Sequence, residues 1–417
     1  PLMIPVFKDP RKQAYLNPAG TDKPLRSPLP DSVLEAARRY RLSRLREQLV
    51  RYDCAAILLY DPINIRYALD VPNMQLWTLH NAVRYALVFA EGPAVLFEFK
   101  EAKHLGTAVS IVDEVRPAVS WIYMSAAQHQ AERVTVWAAE IDDLLHNYSG
   151  GNRRLAIDKV EPPGLKALEN LGISCVEGQE LTEIARSIKS EDELQLMRWT
   201  VRVCEAGLAR MYECSLPGRT EQQIWAELHY ENIRSGGEWL ETRLCTAGPH
   251  TNPWYSECSD YVCRDGDIIS VDTDLIGPYG YCADISRSWV CGHHKLNSEQ
   301  RTLYAAALQQ IDHNLELIRP GLGFLEFNDQ SWRIPERYVE RRYTVALHGV
   351  GLCDEWPAIP THPDVEYAYD GVFEENMVLC VESLIGAEGT ECIKLETQVV
   401  VKPGGVERLD SFPWEEF

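Results

Sequence analysis

The sequence has no apolar run of 18 residues, the length a membrane-crossing helix needs. Pro1–Pro30 carries no basic segment followed by an apolar core, so a secretory leader is not expected and the cytoplasm is the expected compartment. Basic charge is scarce as well. Against 62 Asp and Glu there are 41 Lys and Arg, a net charge of -21 that excludes nucleic acid and anionic membrane as partners, since both bind basic surfaces. The 12 cysteines include no C-x-x-C pair and no regular framework, which points to free thiols in a reducing compartment and away from disulfides or zinc knuckles.

What remains is the composition of an ordinary folded enzyme, 45% hydrophobic and 25% charged, in a chain of 417 residues that is too long for one core. Two domains and an arm are expected. Residues 1–30, rich in Pro, Lys and Asp, read as an extended N-terminal arm. Residues 31–183 read as an α/β domain: helical spacing over 39–52, a buried strand at 54–60, a hairpin of 85–90 and 94–99 about Glu91-Gly92-Pro93, and a strand at 155–158. Ser190 with Glu193 three residues on forms a capping-box signature, so a second domain is expected from about residue 184 to 417. There, helices at 194–212, 221–235 and 298–317 accompany strands at 344–347, 377–384 and 393–401, the pattern of an α+β fold.

The chemistry is concentrated in that second part. Ile268-Ile269-Ser270-Val271-Asp272-Thr273-Asp274 reads as a strand that puts Asp272 and Asp274 on one face, because the side-chain period of a strand is two. Gly277, Pro278 and Gly280 reverse the chain, and 281–285 reads as a return strand that brings Asp284 back beside them. Three crowded carboxylates need a cation or protons. His348 within Leu347-His348-Gly349-Val350-Gly351, Glu382 within an apolar strand and Glu396 within another complete a set of oxygens with one imidazole. Such a set suits manganese, iron, cobalt or zinc, often as two ions.

The order Asp, Asp, His-Gly-x-Gly, Glu, Glu over 184–401 resembles the pita-bread metallohydrolases, among them methionine aminopeptidase, aminopeptidase P, prolidase and creatinase. Asn64-Ile65-Arg66-Tyr67, after a helix and a strand, is similar to the creatinase and prolidase N-terminal domain. The resemblance implies a pita-bread C-terminal catalytic domain, a creatinase-like N-terminal domain, two divalent ions held by Asp272, Asp274, Asp284, His348, Glu382 and Glu396, and a homodimer. Trp77 and Trp121 are by residue type candidates to be lent by the second subunit.

Three departures from the peptidases bear on the reaction. The peptidases space their first two aspartates eleven residues apart, whereas Asp284 follows Asp272 by twelve and Asp274 by ten. Their His-Glu-x-Pro segment is here Asp354-Glu355-Trp356-Pro357, with an acid where an imidazole would stabilise the oxyanion of amide hydrolysis; an acid instead suits proton abstraction. Their Pro-His is here Pro253-Trp254, followed by Tyr255. An indole face attracts cations, although core packing accounts for a tryptophan equally well. With Tyr343, these features resemble the DddP-type dimethylsulfoniopropionate lyases. That resemblance implies β-elimination of a small sulfonium substrate, iron as the first choice of metal with Mn, Zn or Co as alternatives, Asp354 as general base, Tyr343 as a catalytic partner, and Trp254, Tyr255 and Trp356 as substrate contacts. A prolidase-, aminopeptidase P- or creatinase-like hydrolase is the alternative.

Overall fold

The computed structural model describes residues 9–16 and 24–415, and its contacts divide the chain into two compact units. One runs from Pro30 to Arg186. The other begins at Ser187 and takes in the described residues of the N-terminal arm.

In the first unit, helix α1 (Asp31–Arg51) leads into β1 (Ala56–Leu59), and α2 (Pro62–Leu69) follows at once, with Asp61 capping the N–H of Ile63 at 2.8 Å. The hairpin strands β2 (Tyr85–Phe89) and β3 (Ala94–Glu98) pair antiparallel, while β4 (Glu114–Pro117), β5 (Arg154–Ile157) and β6 (Ser174–Glu177) join in parallel. The sheet order is β4-β3-β2-β1-β5-β6. Its strands β1 to β3 are buried on both faces, which is why they read as unbroken apolar runs. Trp121 is 2% exposed in this core, 5.3 Å from the Trp137 ring, so it is a packing residue and not one available to another subunit. Trp77 is 41% exposed.

The second unit opens with α3 (Glu191–Cys214), whose capping box is present as expected: Ser190 Oγ accepts from Glu193 N at 3.1 Å and Glu193 accepts from Ser190 N at 2.9 Å. Helix α4 (Glu221–Arg234) starts with a second such box. Short strands β7 (Trp239–Leu240), β8 (Cys245–Ala247), β9 (Ile268–Val271), β10 (Leu275–Ile276), β11 (Cys282–Ala283) and β12 (Arg287–Val290) form two three-stranded antiparallel sheets, β11-β10-β7 and β12-β9-β8. Helix α5 (Ser298–Leu317) packs on a five-stranded antiparallel sheet of β13 (Val345–Val350), β14 (Asp354–Pro360), β15 (Val378–Ile385), β16 (Ile393–Lys402) and β17 (Gly405–Arg408), ordered β14-β13-β15-β16-β17. Helices outside antiparallel sheets make this unit α+β.

The arm differs from the extended segment expected of residues 1–30. Of that segment, 1–8 and 17–23 lie outside the described residues; within the rest, Pro10–Gln13 is a turn of helix, and Lys12 pairs with Glu415 at 2.8 Å. Among the described residues no helix is long and apolar enough to cross a membrane.

Candidate metal centre

Asp272 and Asp274 converge, but not because they share a strand. Strand β9 ends at Val271 and β10 begins at Leu275, and the two belong to different sheets. Asp272, Thr273 and Asp274 form the bridge between them, with Asp274 in the left-handed region at φ 35°. The return leg changes sheet in the same place: β11 stops at Ala283, and Asp284 to Ser286 precede β12. With the ladder broken, buried backbone groups need other partners. Thr273 supplies them, its hydroxyl donating to Ala283 O at 2.8 Å and accepting from Ile285 N at 3.0 Å. The aspartates therefore sit where two sheet legs separate, which opens room for side chains between them.

The other donors come from the five-stranded sheet, where register explains their meeting. Glu382 on β15 lies opposite Glu396 on β16, and His348 on β13 lies opposite Cys380 on β15, two residues from Glu382 and thus on its face. Gly349 and Gly351 permit this local path: a Cβ on Gly349 would stand 2.5 Å from Trp356 O, and one on Gly351 would stand 2.4 Å from the Glu355 carboxylate. Glu355 is anchored by Lys189 Nζ at 2.9 Å and by the N–H of Leu352 at 3.1 Å, which fixes the segment that carries Asp354.

All six donors gather in one place. His348 Nε2 stands 3.4 Å from Asp284 Oδ2, from Glu382 Oε1 and from Glu396 Oε1 alike. One N–H cannot serve three carboxylate oxygens at that range. Asp284 Oδ1, Glu382 Oε1 and Glu396 Oε1 are buried without a hydrogen bond among the described residues. Donor atoms of Asp272, Asp274 and Asp284 lie within 4.8 Å of one another, as do those of Asp272, Glu382 and Glu396, and those of Asp284, His348, Cys380 and Glu396. Buried anionic oxygens facing one another without donors are what a cation satisfies and what a protein core does not otherwise tolerate.

The electrostatics agree. Burial, and then the neighbouring Asp272 charge, push Asp274 up to about 7, and burial with Glu396 pushes Glu382 up to about 8. Asp284 is also raised well above the usual carboxylate range, by burial and by Glu396, Asp274 and Asp272. Against these, burial is outweighed at Glu396 by Lys394 and His348, which hold its carboxyl low. Burial lowers His348, but Asp354, Asp284, Glu396 and Glu382 outweigh it and raise the imidazole well above its usual range.

Asp354 stands at the edge of this cluster, its side chain 54% exposed and its Oδ1 3.7 Å from His348 Nδ1. Partial desolvation, with the charges of Asp274, Glu396 and Glu355, raises it to about 6 against the lowering effect of His348. Tyr343 lies beside Lys394, whose Nζ is 4.8 Å from its ring centroid, and Tyr255 is stacked on it at 5.4 Å. Burial and the Glu382 charge raise the Tyr343 phenol far above its usual range, so it is a proton donor and not a phenolate. Tyr255 is 59% exposed. Trp254, by contrast, is 6% exposed and packs with Leu244, Leu384 and Cys392 against Tyr343. Of the two accounts of this residue, packing is the one the structure favours. Trp356 is half-buried with its ring 5.4 Å from Phe324, packed on the core beneath the five-stranded sheet and not on the Trp254–Tyr343 cluster.

Sequence reasoning assigned no role to Lys394 or Ser286. Lys394 is fully buried, with Nζ 2.8 Å from Glu382 Oε2, 3.1 Å from Glu396 Oε2 and 3.2 Å from Asp272 Oδ2. The available signal was a lysine inside an apolar strand, two residues before Glu396 and so on its face.

Residues 195–403 match metallopeptidase family M24. The chain is 42% identical to dimethylsulfoniopropionate lyase DddP of Roseovarius nubinhibens over 395 residues, covering 93% of this chain and 88% of that one, and 41% identical to its counterpart in Roseobacter denitrificans over the same shares. The Xaa-Pro dipeptidase of Pyrococcus furiosus is 25% identical over 54% of this chain and 63% of its own. Among solved structures, Xaa-Pro dipeptidase from Bacillus anthracis has a TM-score of 0.72 at 18% identity, over 91% of this chain and 99% of that one. The prolidase of Pyrococcus horikoshii has a TM-score of 0.71 at 20% identity, over 90% and 99%. At these identities the structural likeness establishes a shared fold.

Proposed function

The chain belongs to metallopeptidase family M24, in the branch of its dimethylsulfoniopropionate lyase relatives, and from this premise we propose that it cleaves dimethylsulfoniopropionate to dimethyl sulfide and acrylate by β-elimination. The observation that carries the choice of lyase over peptidase within this fold is Asp354. It occupies the edge of the donor cluster where the peptidases would have an imidazole, and a carboxylate there opposes a developing oxyanion while it suits proton abstraction.

Membership of family M24 implies a divalent metal. The residues fit one: the donor-free Oε1 atoms of Glu382 and Glu396 face His348 Nε2, Asp284 Oδ2 faces it too while Asp284 Oδ1 is buried without a donor, and Asp272 and Asp274 complete an oxygen-rich set with one nitrogen. These six would hold two ions, with iron the first choice and Mn, Zn or Co the alternatives. When bound, the metal supplies a Lewis acid that holds the substrate carboxylate and acidifies its α-C–H.

The chain's own groups account for the remaining steps. Asp354 removes the α-proton, the C–H electron pair becomes the α–β double bond, and the β-carbon–sulfur bond breaks, its electrons leaving with sulfur as neutral dimethyl sulfide. The proton remains on Asp354 and returns to solvent through its exposed edge. The exposed ring of Tyr255, stacked on Tyr343, offers a face to the sulfonium, while Trp254 packs against Tyr343. Tyr343, protonated and beside the cluster, donates a hydrogen bond to the substrate. We place the enzyme in the cytoplasm as a homodimer; light scattering at twice the chain mass checks the second point and a monomer would refute it.

The test is a substrate panel on the metal-replete enzyme. Turnover of dimethylsulfoniopropionate is expected to exceed that of X-Pro dipeptides and of creatine by at least about 100-fold, the scale of discrimination that misplaced acid–base groups impose. Peptide turnover without lyase turnover would install the hydrolase in its place.

A further inference from the structure

The centre holds a cation of its own. Lys394 Nζ is within 3.2 Å of Asp272 Oδ2, 2.8 Å of Glu382 Oε2 and 3.1 Å of Glu396 Oε2, and it donates to Ser286 Oγ at 2.7 Å. Ser286 Oγ in turn stands 2.8 Å from Asp272 Oδ1 and 2.7 Å from Glu396 Oε2. These contacts sort the oxygens. Those bound by Lys394 and Ser286 form an outer set, while Glu382 Oε1 and Glu396 Oε1, buried without a donor, form with Asp284 Oδ2 an inner set, each 3.4 Å from His348 Nε2.

We infer that Lys394 is a positioning residue that acts as a resident third cation, holding Asp272, Glu382 and Glu396 apart from one another and turning Oε1 of both glutamates inward before any metal arrives. The charge balance supports this role. Asp272, Asp274, Asp284, Glu382 and Glu396 bring five negative charges, and with His348 neutral, as a ligand is, the Lys394 ammonium leaves four, the number two divalent ions neutralise. An uncharged side chain here would leave the oxygens of Asp272, Glu382 and Glu396 that meet Lys394 buried without that cation in the metal-free protein. The inference rests on the metal reading given above, and it extends that reading to the protein without metal.

The test compares Lys394→Met and Lys394→Arg with the parent chain, each melted metal-free and again with saturating Mn2+ as the probe ion. Lys394→Met is expected to lower the metal-free Tm by about 10 °C and the Mn2+-loaded Tm by less than half as much, so that the gain on adding metal grows; Lys394→Arg, which keeps the charge, is expected to stay within about 3 °C in both forms. A role in packing alone would lower both melting points equally, and that result would overturn the inference. If Lys394→Met can be purified only with Mn2+ present, the inference is supported; if it fails to fold even with Mn2+, it is overturned. Failure of the metal reading looks different, because the parent chain would then bind no Mn2+ by calorimetry, and both claims would fall before any variant is compared.

Discussion

Asp354→Asn is expected to lower kcat by about 1,000-fold, within the range that loss of a general base costs, while leaving the metal content of the protein unchanged. The asparagine keeps the shape of the side chain and the start of β14, where residue 354 pairs with Val350. It removes the one carboxylate of the cluster that is half exposed and therefore able to meet a substrate entering from solvent. The inner oxygens belong to Asp284, Glu382 and Glu396, so the charge that a metal meets is not altered. Headspace measurement of dimethyl sulfide with metal analysis of the same sample separates the two effects. A fall of less than tenfold would place the base elsewhere, and a parallel loss of metal would make Asp354 part of the cluster itself.

Glu396→Gln is expected to do the reverse, lowering divalent-metal affinity by at least about 100-fold and activity with it, since even groups one step removed from a metal cost 10- to 100-fold. Glu396 is fully buried, one oxygen shared by Lys394 and Ser286 and the other 3.4 Å from His348 Nε2. Glutamine preserves the volume but loses the charge, and it turns an N–H2 towards donors that need an acceptor. Equilibrium dialysis followed by metal analysis reads the change. Unaltered affinity would mean that Glu396 serves the fold and not an ion.

Much of this centre was legible in the sequence because its determinants are local. Asp272, Asp274, Asp284, His348, Glu382 and Glu396 announce themselves as charged residues in apolar segments, and the structure brings all six together. The Ser190 capping box was equally readable, since both of its hydrogen bonds lie within four residues. The reason for the convergence of Asp272 and Asp274 was not. A bend between two sheets, with Asp274 at positive φ, cannot be told by periodicity from a continuing strand. Lys394 has no role in the sequence reading because a strand lysine is ordinarily a solvent-facing residue; its place two residues before Glu396 puts it on the same face, and the register shows that face to be the interior of the cluster. Trp254 and Trp121 show a related limit: a tryptophan wanted for a cation and one wanted for a core have the same letter, and burial of 6% and 2% exposure decides for packing.

The most direct measurement is the product balance of the metal-loaded enzyme with dimethylsulfoniopropionate, followed by proton NMR with headspace sulfide analysis. The account predicts dimethyl sulfide and acrylate in equal amounts, formed only while the metal is bound and nearly abolished by Asp354→Asn. Release of sulfide with a hydroxy acid in place of acrylate would make water and not a base the attacking partner, and no release from metal-replete protein would contradict the assignment outright.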